Sequence, residues 1–159
     1  MKSRAIFVKN ESADETNAPE APGEKENLMT SDELQKKLKS NVLIFDAGFG
    51  TALYRRNFFI NTSYDNLCLA NPQVVLAIHQ AYVDAGAEVL TTNTYNANPL
   101  KLSSFGLADQ TSSINEAAVA LARKAAAEKP EILIAGSIGP LPPGTSLMDA
   151  VNALKTQCE

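Results

Sequence analysis

The chain has 159 residues, of which 45% are hydrophobic and 20% charged, with a formal net charge of −4. Those values describe a globular protein with enough chain for one substantial core and not for two. They exclude a membrane helix, since no run approaches the roughly 18 apolar residues required, and they argue against a broad nucleic-acid surface, which needs an excess of Lys and Arg.

The apolar run at the amino terminus, Ala5 to Val8, is too short for a secretory signal. A reducing, cytoplasmic setting is the expectation. Cys68 and Cys158 stand far apart with no CxxC, so the spacing contains neither a disulfide framework nor a self-contained zinc site.

Residues 10–27 carry Glu11, Asp14, Glu15, Glu20, Glu24 and Glu26 against Lys25, broken by Pro19, Pro22 and Gly23. With almost nothing apolar to bury, such a segment does not offset its ordering entropy. Residues 1–29 are therefore expected to be a disordered acidic extension, and 30–159 the folded domain. Thr30 and Glu33 fit a capping box ahead of Leu34 and Leu38, which predicts a helix over 31–39. Val42-Leu43-Ile44-Phe45 is a compact apolar run that predicts a buried strand, closed by the turn Asp46-Ala47-Gly48-Phe49-Gly50.

The next helix is capped by Asn71, opened by Pro72 and terminated at Gly86, with Val74, Val75, Ile78, Tyr82 and Val83 at helical spacing. A second strand is expected at 88–92. A long helix over 112–128 follows, with Ile114, Ala118, Leu121, Ala122 and Ala125 on one stripe. A third strand at 132–135 runs into Gly136-Ser137-Ile138-Gly139-Pro140. A last helix near Ser146 aligns Leu147, Ala150, Val151 and Leu154 on one side.

The order β-α-β-α-β-α with continuous apolar strands means a parallel sheet covered by helices, with right-handed crossovers. Loops after strands are long and rich in Gly, Asn and Thr, whereas loops before them are tight, which places the chemistry at the carboxyl ends of the strands. Periodicity leaves open whether the sheet is part of an eight-fold barrel or of an open doubly wound fold. A dinucleotide fingerprint fails, because G-x-G-x-x-G needs glycine where Leu53 stands.

Asp46 closes the first strand, and Gly48 and Gly50 admit a ligand to the backbone. Thr91, Thr92, Asn93, Thr94, Tyr95 and Asn96 form a polar cluster at the second strand end, suited to the amino and carboxylate groups of a small ligand. His79, mid-helix, reads as a surface or helix-packing residue, and Cys68 as a small buried hydrophobe.

Together IFDAGFGTALYRR, LANPQVVLAIHQAYVDAGAEVLTTNTYNANPLKLSSFGL, INEAAVALARKAA and IAGSIGP resemble the homocysteine S-methyltransferase family, in the right order from Asn41 to Pro140. The resemblance implies a TIM-like (βα)8 barrel, of which about three βα units are present. It implies transfer of a methyl group to the homocysteine thiol to give methionine, with zinc holding the thiol as a thiolate. Partners would be homocysteine and a methyl donor. By matched position Asp46 meets the substrate amino group. Gly48, Thr92, Asn93 and Ser137 complete the implied substrate-binding set, with Gly136 and Gly139 beside Ser137.

The residue before the TNT motif is often an acid in the family and is Thr91 here, and the turn reads DAG where many members read DGA. The family's three zinc-binding cysteines lie on later strands and have no match in this chain. The expectation is an amino-terminal part of such an enzyme, inactive alone. The alternative is a shortened, non-catalytic homologue that binds an amino acid or a partner.

Overall fold

The computed structural model describes residues 5–6, 29–59 and 61–158; the acidic run 10–27 lies outside them. Two short stretches of the expected extension are placed. Ala5–Ile6 form strand β1, and Met29 is buried. Met29 packs with Val89 and Leu133, and with the half-buried Leu34 and Leu43.

Helix α1 spans Ser31–Ser40. The capping box is formed as expected. The Glu33 N–H donates to Thr30 Oγ1 at 3.3 Å, and the Thr30 N–H donates to Glu33 Oε2 at 2.9 Å. No residue of α1 is buried, so the cap carries much of its local stability. Thr30→Ala is expected to cost about 1 kcal/mol, speeding amide exchange within α1 about fivefold while leaving the central helices unchanged.

The next expectation requires correction. Residues 42–45 do not form a buried strand. Phe45 makes a single parallel bridge to Val89, and Val42, Ile44 and Phe45 are 84%, 57% and 52% exposed. The backbone is in strand register, since the Glu88 and Val89 N–H groups both donate to Ile44 O and the Asp46 N–H donates to Val89 O. A buried strand needs a neighbour on each edge and cover on both faces, and the described residues supply one neighbour and little cover.

Short helices α2 (Phe49–Tyr54) and α3 (Leu67–Ala70) lead to α4 (Pro72–Asp84). Pro72 opens α4, and Gly86 follows it with φ +93°, where a Cβ would be strained. Strand β2 is Val89–Thr91. Helix α5 (Pro99–Leu102) precedes α6 (Thr111–Ala125), strand β3 (Leu133–Ala135) and α7 (Leu147–Cys158).

The strands are all parallel, in the order β1-β3-β2, with Leu90 opposite Ile134 and Thr91 opposite Ala135. The bridge at Phe45 extends the order beyond β2. Side chains alternate between faces. Val89 and Leu133 face Met29 and Leu34, while Leu90, Ile132 and Ile134 face Val83 of α4 and Ala122 of α6. A second apolar cluster joins α2, α3, α4 and α6 through Leu53, Leu67, Cys68, Val75, Ile78 and Ala118. Each fully buried Leu, Ile or Val there contributes about 1.5–3 kcal/mol.

Helix α7 also departs from expectation. Its buried residues are Ala153 and Gln157, whereas Leu147 and Val151 are 82% and 54% exposed. The helix is turned so that a glutamine, not the leucine stripe, meets the body of the protein. Among the described residues no helix is long and apolar enough to cross a membrane.

Candidate functional site

The expected site residues gather at the carboxyl ends of the strands, but on two faces of the sheet. Asp46 lies one residue past the bridge at Phe45. Its Oδ1 accepts the Thr91 hydroxyl at 2.8 Å and its Oδ2 accepts the Thr91 N–H at 3.0 Å. The sequence places Thr91 in the polar cluster and marks it as a departure from the family, and the structure makes it the direct partner of Asp46. Burial raises the Asp46 pKa, and the hydrogen bonds from Thr91 oppose that rise. A half-buried carboxylate of this kind gains from a cation, because an opposite charge restores the ionised form that desolvation penalises.

Gly48 lies at the amino end of α2 and its carbonyl accepts from the Tyr82 hydroxyl at 3.4 Å. A Cβ at Gly48 would approach Thr51 Oγ1 to 3.4 Å, an ordinary contact.

Thr92 points to the other face, the side of α6. Its hydroxyl is 2.6 Å from that of Thr94 and accepts the Ser137 N–H at 3.1 Å, while the Thr94 hydroxyl donates to Ser137 O at 2.9 Å. Thr92 and Ser137 are thus brought together, tied to each other and away from Asp46. The side-chain amide of Gln157 reaches in from α7, donating to Thr94 O at 2.7 Å and Ser137 O at 3.3 Å. A cavity of about 490 Å3 lies here, lined by Thr92, Thr94, Glu116, Ser137 and Gln157 among others; Asp46 does not line it.

Asn93 is buried, and its Nδ2 donates to Tyr64 O at 2.6 Å and lies 3.7 Å from Cys68 Sγ. Cys68 is buried as expected, and burial pushes its thiol up to about 12, so it is inert as a nucleophile. Gly139 donates its N–H to Tyr95 O at 2.8 Å, joining the loops that follow β2 and β3. Asp65 accepts the Asn96 N–H at 2.9 Å and is also buried. Sequence reasoning missed Asp65 and Gln157, because neither belongs to a periodic pattern.

A metal does not fit the described residues. No group of three His, Cys, Asp or Glu side chains comes together among them. Cys68 is enclosed near Asn93, and Cys158 is exposed at the end of α7.

Parallel strands linked by helices, with an aspartate and a threonine-asparagine cluster at their carboxyl ends, place the chain in the α/β class. The chain belongs to the homocysteine S-methyltransferase family, whose model matches residues 43–157. It is similar in structure to the homocysteine methyltransferase MmuM from Escherichia coli. Against the oxidised form it is 31% identical over 67% of this chain and 40% of that one, with a TM-score of 0.58. Against the apo form it is 27% identical over 79% of this chain and 47% of that one, with a TM-score of 0.59. The metallated form gives 30% identity and a TM-score of 0.57. The chain spans less than half the length of the enzymes it matches.

Proposed function

We propose that these residues form the amino-terminal, homocysteine-binding part of a TIM-like methyltransferase barrel acting in methionine formation. Asp46 would hold the substrate ammonium group. Gly48 would leave room for the substrate backbone, and Asn93, Thr92 and Ser137 would build the strand-end loops around it. The observation that carries this reading is the Asp46–Thr91 pair. Thr91 fixes both carboxylate oxygens at the end of β2 and leaves a partly dewatered negative charge facing the strand ends.

In the complete family domain a zinc ion would lower the pKa of the substrate thiol, favouring the thiolate. The residues described here supply no such ligand set. Their part is to bind and orient the amino acid, and the chain alone is expected to transfer no methyl group. Zinc, the methyl donor and a cytoplasmic setting belong to this same reading of the whole enzyme.

The test is a calorimetric titration of L-homocysteine into the chain and into Asp46→Asn. A hydrogen bond to a charged group contributes about 1.5–3 kcal/mol, so the variant is expected to bind about 10–100-fold more weakly. Equal affinities, or no heat with either protein, would overturn the assignment. A second reading is a binding module without chemistry. It shares the titration result and differs if homocysteine binds no better than other small amino acids.

A further inference from the structure

A carboxylate enclosed as far as Asp65, 4% exposed, is costly unless its charge is used. Burial raises its pKa, and the hydrogen bond it accepts from the Asn96 N–H opposes that rise. Asp65 sits between two further contacts to the same segment. On one side, Tyr64 O accepts the Asn93 side-chain amide at 2.6 Å. On the other, Cys68 Sγ lies 3.7 Å from Asn93 Nδ2 and 3.8 Å from Asn93 O. The stretch from Tyr64 to Cys68, ahead of α4, therefore grips both ends of the stretch from Asn93 to Asn96, after β2. Between those ends stands Thr94, whose hydroxyl pairs with Thr92 and donates to Ser137 O.

We propose that Asp65 is a positioning residue for the strand-end loop at Asn93–Asn96. By holding the Asn96 N–H it fixes the backbone of a polar loop that has no regular secondary structure of its own. The loop residues then meet a ligand already ordered. Fixing a residue's backbone has an entropic cost, and a loop ordered in the free protein does not incur it on binding. The choice of a carboxylate follows from the geometry. A backbone N–H enclosed in a protein needs an acceptor, and an ionised one makes the stronger bond. The identity of the ligand rests on the homocysteine reading. The latch itself does not.

The experiment is amide hydrogen exchange on the full chain, with Asp65→Ala, Asp65→Asn and the parent compared, followed by homocysteine titration of each. In Asp65→Ala, exchange at Asn93–Asn96 is expected to rise at least about tenfold, with α4 and α6 unchanged. Asp65→Asn keeps an acceptor at the same place and is expected to stay within about threefold of the parent. Homocysteine affinity is expected to fall in Asp65→Ala and recover in Asp65→Asn.

Unchanged exchange at Asn93–Asn96 overturns the proposal. So does an equal rise throughout the molecule, which marks a general stability role. If Asp65→Ala does not fold, Asp65→Glu decides, since it keeps the charge and displaces the acceptor. It is expected to loosen the same loop, and a tight loop in that variant also overturns the proposal. If the parent binds no homocysteine, the substrate reading fails while the exchange data still judge the latch.

Discussion

Gly139→Ala is expected to destabilise the protein by about 1–3 kcal/mol, the usual cost of forcing extra volume into a packed site. The added Cβ would collide with the carbonyl oxygen of Tyr95 and stand 2.9 Å from two carbons of its ring. The carbonyl is backbone and cannot swing aside. It is also the acceptor of the Gly139 N–H, so relieving the clash lengthens that hydrogen bond and parts the loops after β2 and β3. Urea denaturation is the measurement, with the midpoint falling and the slope unchanged. Gly136→Ala is the control, because among the described residues nothing lies within 4 Å of the added Cβ. Equal midpoints for the two variants would show that the loops do not depend on this approach.

Acidification is expected to cost the fold about 3 kcal/mol through His79 alone. His79 is fully buried in α4, and among the described residues neither ring nitrogen has a hydrogen-bond partner. The Phe49 ring lies 5.0 Å away, centroid to centroid. Burial lowers its pKa from 6.5 to about 4. The folded state thus disfavours the charged imidazole, and the unfolded chain binds the extra proton between those two values. Stability is fully present above pH 6.5 and is lost as the pH falls toward 4, at about 1.4 kcal/mol per pH unit. Asp46 and Asp65 act in the opposite sense. Their raised pKa values mean that the folded state favours the protonated carboxyl, so their contribution improves as the pH falls. The difference between the parent and His79→Leu isolates the histidine. The variant, which also removes two unsatisfied nitrogens, is expected to lose that decline between pH 6.5 and 4. Parallel curves would mean that the ring finds a partner when protonated.

Local signals were legible where the physics is local. Asn71-Pro72 and Gly86 bracketed α4 because Pro and Gly constrain the backbone by themselves. The capping box at Thr30 and Glu33 formed for the same reason, as two neighbouring groups satisfied each other. The strand-end position of Asp46, Thr92 and Ser137 followed from loop composition. Which of them touch did not. Alternation along β2 puts Thr91 on the face of Asp46 and Thr92 on the face of α6, and that needed the register of the sheet.

The burial of Val42–Phe45 was misjudged because an apolar run is buried only if other elements arrive to cover it. Leu147 and Val151 of α7 failed likewise, since periodicity describes a stripe and not the body it meets. His79 was expected on the surface or in a helix contact, and the second holds: it lies enclosed in α4 against Phe49 of α2. Asp65 left no trace in the sequence, because its partner Asn96 is 31 residues away.

The spacing of the cross-strand ties has a consequence for how the protein is made. Asp46 meets Thr91 after 45 residues, and Thr92 meets Ser137 after another 45. Each of these two ties joins a strand end to the βα unit that follows it. At ribosomal speeds of about 5–20 residues per second, each tie waits roughly two to nine seconds for its partner to be synthesised. During that interval the polar cluster at a strand end lacks its later partner. The partner of Asp46 is thus synthesised before the partner of Thr92, and a pause within α4 or α6 is expected to lengthen the exposure of the half that precedes it.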